Sequence, residues 1–284
     1  MKSIIDIYGK IGECCISALL SEVSASPKPG LVDRQGNGAH KDMDFITFTD
    51  SILAISPYFS RFAEAGSSLG CIDDRALSRL RPLGIECEEA MFKATGGVNT
   101  HKGAIFSLGL LSAAAGYCHH VLHDLSAETV CNTAGAIAAA SERDFLLPEA
   151  AAAITKGLEL YKAYGIRGIR GEAASGFYSV RRYALPVMRE LLTEGVYSKN
   201  DIYLQVLLHL MSHVEDTNVI SRCGIGAMEY VKGSAADVLS MGGALTPQGK
   251  EGLLHMDEEY IKRNISPGGC ADLLSVAITL QLLE

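Results

Sequence analysis

The spacing of apolar side chains predicts helix almost from one end of the chain to the other. Residues 3–25 place Ile4, Ile5, Ile7, Ile11, Cys15, Ala18, Leu19 and Val23 on a helical repeat of about 3.6 residues. The same period predicts helices over roughly 43–66, 72–93, 101–123, 126–142, 148–164, 179–194, 199–213, 225–241, 246–264 and 270–283. No stretch shows the strict alternation of a half-buried strand, and neither an internal repeat nor a low-complexity linker breaks the pattern. The expectation is an all-α protein, a single compact multi-helix domain over residues 1–284.

Composition supports this reading. Apolar residues make up 48% of the 284 positions, aromatics only 7%, and tryptophan is absent, so Ala, Leu, Ile and Val must build the core. Alanine and leucine favour helix, whereas a sheet of this size would need more β-branched and aromatic runs. A net charge of −8 excludes the basic face that a nucleic-acid binder needs. The eight cysteines show no paired CxxC spacing and the acid-containing N-terminus is no signal peptide, which predicts free thiols in the cytoplasm. The longest apolar stretch, about 104–118, is shorter than the ~20 residues of a bilayer span, so no membrane role is expected.

The polar positions change the picture. Five connections, "PKPGLVDRQGNGAHKD" (27–42), "GGVNTHKG" (96–103), "IRGIRGE" (166–172), "EDTNVISRCG" (215–224) and "SPGGCAD" (266–272), hold 48 of the 284 residues but 11 of the 29 glycines. Glycine allows positive φ and close approach of backbone to a ligand, so such loops are candidate sites. They carry seven Lys or Arg against six acids, in a chain whose remainder carries 18 against 27. Locally cationic loops with interspersed carboxylates suit a polyanion bound together with a divalent metal, expected to be Mg²⁺.

In "GGVNTHKGAIFSLGLL" (96–111), Asn99 or Thr100 is a fitting N-cap for a helix starting near His101. The free N–H groups of its first turn, the Lys102 charge, and Gly96 and Gly97 folding over a bound group would make an anion site. It is not a Walker A loop, because His101 replaces the second glycine and helix precedes it. "SPGGCAD" repeats the logic with Ser266 or Pro267 at a helix start, Gly268, Gly269 and then Asp272. Asp42 and Asp44, two apart at another helix start, are a candidate hard-metal pair or an ordinary acidic first turn. His119, His120, His123 and Asp124 lack the partners of a metal-phosphohydrolase dyad and read as the polar end of an apolar helix.

These segments, with "EVSASPKPGLVDRQGNGAHKDMD", "RGEAASGF", "DTNVISR" and "NISPGGCADLL", resemble the triphosphoribosyl-dephospho-CoA synthase family from about residue 20 to the C-terminus. Cys270 stands where a serine is expected. That family makes the prosthetic-group precursor of citrate lyase, with a branch serving malonate decarboxylase; "GAHKDMD" and "GGVNTHKG" lean toward the citrate lyase branch. The resemblance implies that ATP and 3′-dephospho-CoA are the substrates and adenine the leaving group. The triphosphate would be kept, and the product passed to a citrate lyase holo-acyl-carrier-protein transferase. It leaves a homo-oligomer open.

On that basis Asp33, Glu172, Asp216 and, more weakly, Glu22 are the candidate proton-transfer groups. Asp42, Asp44, Asp216 and Asp272 are candidate Mg²⁺ ligands. Lys28, Arg34, His40, Lys41, His101, Lys102, Arg170 and Arg222 would contact phosphates, helped by Gly96, Gly97, Asn99, Thr100, Asn218, Gly268 and Gly269. Which carboxylates hold metal and which move protons stays open. The rival readings are a metal-dependent nucleotide phosphohydrolase or phosphotransferase on a helical scaffold, and a nucleotide sensor without turnover.

Overall fold

The computed structural model describes residues 7–142 and 156–284. Among them are thirteen α-helices and no strand: α1 (Ile7–Ser24), α2 (Phe45–Ser67), α3 (Ala76–Ala94), α4 (Lys102–Tyr117), α5 (Ala127–Glu142), α6 (Lys156–Tyr164), α7 (Gly168–Ala174), α8 (Leu185–Glu194), α9 (Lys199–His213), α10 (Thr217–Cys223), α11 (Ile225–Ser240), α12 (Pro247–Lys262) and α13 (Gly268–Leu283). The all-α expectation holds. Predicted helix over 148–155, and Ile4 and Ile5, lie outside the described residues.

Two helices form the centre. α4 and α13 are apolar on every side and bury Ala104–Gly116 and Cys270–Leu280 almost completely, which is why neither reads as amphipathic. α1, α2, α5 and α9 pack around them, and one continuous apolar cluster runs from Ile11 to Leu280. α2 and α4 cross in backbone contact: a Cβ on Gly66 would strike the Ala113 carbonyl, and one on Gly116 the Ala63 carbonyl. Close approach sets that crossing, and only a residue without a side chain permits it. Pro57 sits inside α2, and the hydroxyl of Ser56 donates to the Leu53 carbonyl (2.9 Å) that the proline cannot serve.

Three departures from the predicted elements have physical causes. The segments at 166–172 and 215–224, read as loops, contain α7 and α10, each seven residues and too short to display a helical period. The predicted helix 101–123 changes at Cys118 into a π-helical turn, Cys118–Leu122, and a second one, Val180–Ala184, precedes α8. Lys102–Leu122 is 21 residues long, so it does pass the length and composition of a membrane span, contrary to the estimate from 104–118. It is a core helix instead, 67% of its apolar window being buried within the protein. All eight cysteines are free thiols.

Candidate active site

The C-terminal end of α1, the N-terminal ends of α4 and α13, and the short helices α7 and α10 surround a cleft of about 1540 Å³. That exceeds the ~300–1,000 Å³ typical for one small ligand and leaves room for two nucleotide-sized ones. Each of the five glycine-rich segments contributes to its walls.

The floor is built from charges taken out of water. Lys28, 1% exposed, ion-pairs with Glu22, 3% exposed, at the end of α1. Asp216, equally buried, caps α10 through one oxygen, which accepts from the Asn218 N–H (2.8 Å) and the Val219 N–H (3.4 Å). Its other oxygen accepts the Cys270 N–H at 2.9 Å, tying α10 to the first turn of α13. Gly269 permits that approach, since a Cβ there would sit about 3.0 Å from the Asp216 carboxylate. Asp272, one turn into α13, turns toward Gly103 of α4, where a Cβ would collide with its Oδ2.

Burial pushes the pKa of all three carboxyls up; for Asp272 the neighbouring charges of Glu22 and Asp216 push it further, well above the usual carboxylate range. His101 completes the floor. It is buried, with Nδ1 on the Ser51 hydroxyl (2.7 Å), and burial together with the Lys28 charge lowers its pKa to about 3.

The rim is cationic. Arg222 donates to the Ala39 carbonyl (2.8 Å) and to Asn264 Oδ1 (2.6 Å), and lies 3.4 Å from His40 Nδ1. His40 meets Ser266 Oγ at 2.8 Å, so this group links the first, fourth and fifth segments. Burial and Arg222 lower the pKa of His40, while Asp42, 3.7 Å away and exposed, opposes them. Arg170 and Lys102 also line the cleft, Lys102 pairing with Glu88 (2.9 Å). Glu172 is on the wall, with its carboxylate accepting from the N–H (2.6 Å) and hydroxyl (3.0 Å) of Ser179.

Several sequence candidates lie elsewhere. Asp33 is buried outside the lining and folds its own loop, accepting from the N–H groups of Lys28 (2.8 Å), Gln35 (2.7 Å) and Gly36 (3.1 Å). Arg34 donates to the Ser24 carbonyl (2.6 Å), and Lys41 is exposed away from the cleft. Asp44 caps α2 in a capping box with Thr47, the ordinary first-turn role. Gly96 and Gly97, with φ of 65° and 94°, end α3 through a Gly97 N–H to Phe92 carbonyl bond (2.8 Å) and fold over no cleft group. His101 itself is the N-cap of α4, and Asn99 Oδ1 accepts from the Lys102 N–H at 3.2 Å. Asn99, Thr100, Asn218, Gly268 and Gly269 do line the cleft. His119 and His120 sit on the first π-helical turn and His123 caps it, all outside the cleft.

Other lining residues had no signal in the sequence. Tyr178, Tyr183 and His213 form an aromatic wall, the Tyr183 and His213 rings stacked at 3.9 Å and Tyr178 edge-on to Tyr183 at 6.1 Å. Tyr178 and Tyr183 are five apart, and the π-helical turn between them brings them together where an α-helical count would not. Arg167, one of the seven loop cations, and Thr217 line the cleft as well.

The family model described as ATP:dephospho-CoA triphosphoribosyl transferase matches residues 9–284. The chain belongs to this family. It is 44% identical over 260 residues to a probable 2-(5″-triphosphoribosyl)-3′-dephosphocoenzyme-A synthase of Pectobacterium carotovorum, covering 91% of this chain and 84% of the relative. It is 42% identical over 275 residues to the synthase of Pectobacterium atrosepticum, covering 96% and 88%. Identity to the Escherichia fergusonii synthase is 43% over 261 residues, covering 91% and 86%. No solved structure matches. The family's substrates, ATP and dephospho-CoA, are consistent with a cleft that has room for more than one nucleotide, and the chain is a transferase.

Proposed function

We propose that the cleft transfers the 5-triphosphoribosyl group of ATP to the 2′-hydroxyl of 3′-dephospho-CoA by substitution at the ribose anomeric carbon. The C1–N9 bond of ATP breaks, its electron pair leaves with adenine, and a new C1–O bond forms to the 2′-oxygen. The proton lost by the hydroxyl passes to a carboxylate of the floor, and adenine takes up one from a carboxyl group there, so the site's total of protons is unchanged and the two groups exchange protonation states. The observation that supports this most is the division of charge: Glu22, Asp216 and Asp272 meet on the floor with Lys28 as their one ammonium, while Arg222, Arg170, Lys102 and His40 occupy the rim. An oxocarbenium-like ribose gains from carboxylates beside it, and a triphosphate tail is repelled by them and drawn to the rim.

Asp272 and Asp216 are the proposed proton-transfer pair, with Glu22 held ready by Lys28. Among the described residues no group of three or more His, Cys, Asp or Glu side chains is gathered as a metal cage requires. A magnesium cage of protein side chains alone is therefore not built among them; magnesium would be shared between the phosphates of ATP and one or two cleft carboxylates. The product is a precursor for the citrate lyase prosthetic group, passed to a holo-acyl-carrier-protein transferase.

Steady-state kinetics separates floor from rim. Asp272→Asn is expected to lower kcat by about 10²-fold or more with KM for ATP little changed, the usual size of a lost proton-transfer group. Arg170→Gln is expected to raise KM for ATP with kcat nearly intact. The reverse pattern would overturn the division.

A further inference from the structure

His101 has a polar atom that no described residue uses. His101 lines the cleft and is 3% exposed; its Nε2 is buried and has no hydrogen-bond partner among the described residues. The rest of the ring is fixed. Thr100 Oγ1 donates to Ser51 Oγ (2.7 Å), and Ser51 Oγ meets His101 Nδ1 at 2.7 Å. Thr100 leaves the Ser51 proton free for Nδ1; in that arrangement Nδ1 accepts and the ring's single proton lies on Nε2. The edge of Phe48 packs on the imidazole at 4.9 Å and 71°, so the ring cannot swing away without breaking two contacts, and the His101 backbone N–H is held by Met91 Sδ at 3.2 Å. Burial and the Lys28 ammonium oppose a second proton on the ring.

A buried, uncharged N–H that lacks a partner costs about 1–3 kcal/mol unless a ligand supplies an acceptor. Three carboxyl groups share this floor with one ammonium, which turns phosphate away. What can approach is an uncharged part of the substrate that carries an acceptor. In the glycosyl transfer proposed above, the ribose oxygens lose electron density as the C1–N9 bond opens, and the purine gains it. Only a purine ring nitrogen becomes a better acceptor on the way to the transition state, so only there does the bond accelerate the reaction.

We infer that His101 acts on the leaving group: its Nε2–H donates a hydrogen bond to N3 or N7 of the departing adenine and keeps its proton throughout. This rests on the glycosyl-transfer reading. It makes His101 a catalytic residue, with Ser51 and Thr100 as positioning residues that hold the tautomer.

The test is a cycle of variants and substrates, read as adenine or deazaadenine released per enzyme per second. Wild type, His101→Phe and His101→Gln are each given ATP, 3-deaza-ATP and 7-deaza-ATP with dephospho-CoA. On ATP, His101→Phe is expected to be slower by about 10²-fold, the usual loss for one preorganised donor. His101→Gln, whose amide N–H reaches nearly the same point, should recover at least about tenfold of that. On the one deaza analogue that lacks the acceptor, wild type and His101→Phe should turn over at the same rate; on the other, the ratio of about 10² should persist. A ratio that is the same on all three substrates would overturn the inference, as would a His101→Phe rate on ATP within about threefold of wild type.

Nitrogen-15 NMR of the imidazole gives an answer without turnover: Nε2 protonated and Nδ1 bare is expected, and the opposite tautomer refutes the assignment. Wild-type protein that releases no adenine from ATP would instead remove the glycosyl-transfer reading, a result the variant ratios cannot imitate.

Discussion

Replacing Lys28 by methionine keeps the stem and removes the only ammonium that the described residues place on the floor. The buried Glu22 carboxylate then stands unpaired beside Asp216 and Asp272. Breaking a buried ion pair on one side costs about 3–5 kcal/mol. At about 2 cal/mol/K of unfolding entropy per residue, a chain of 284 residues has an unfolding entropy near 0.6 kcal/mol/K, so the loss corresponds to about 5–8 °C in Tm. The cost must also depend on pH in a definite sense. A carboxyl whose pKa is raised in the folded state holds its proton there longer than in the unfolded chain, so stability falls as pH rises from the unfolded value through the folded one.

Without Lys28 the folded pKa of Glu22 moves up further, because the charge that lowers it is gone. The destabilisation should therefore be larger near about pH 8 than near about pH 5, because acidification drives a proton onto the folded-state Glu22 carboxylate. Thermal unfolding followed by circular dichroism at both values measures it. A Tm loss under about 2 °C, or one that grows on acidification, would refute the pairing and the charge count of the floor.

Other perturbations test separate parts. Gly103→Ala should keep or slightly raise Tm, since alanine favours helix, yet cut kcat at least about tenfold by displacing Asp272; unaltered turnover would show that this carboxylate has room to spare. Asp216→Asn can still cap α10 but offers an amide where Cys270 N–H needs an acceptor, so unfolding should cost about 1–3 kcal/mol less, and near-normal turnover in that variant would end its place in proton transfer. Arg222→Lys loses the fork that reaches Ala39 and Asn264 together; KM for ATP should rise about tenfold with kcat within about threefold, and a kcat-only defect would contradict a phosphate role.

The helices were legible because burial is periodic. α9 runs over the predicted 199–213, and α2, α11 and α13 start or end within two residues of their expected positions. What periodicity could not supply were elements shorter than two turns, α7 and α10, and the two π-helical turns that alter the count. The glycine-rich segments do converge, but glycine has several uses that the sequence cannot separate. Gly268 and Gly269 let α13 approach Asn218 and Asp216, whereas Gly96 and Gly97 only terminate α3.

Carboxylates divide in the same way. Asp33 and Asp44 spend their oxygens on nearby backbone N–H groups, a local pairing that looks the same in sequence as a catalytic aspartate in a loop. The meeting of Glu22 with Asp272, 250 residues apart, comes from packing α1 against α13 and has no local signature. Nor has the aromatic wall of Tyr178, Tyr183 and His213.

In the proposed transfer the bond to adenine breaks and the triphosphate survives. Purified protein incubated with ATP and 3′-dephospho-CoA, separated by chromatography and weighed by mass spectrometry, tests this in one run. Free adenine in equal amount to a new CoA species carrying ribose and all three phosphates is the predicted result. ADP, AMP or inorganic phosphate without adenine would contradict it.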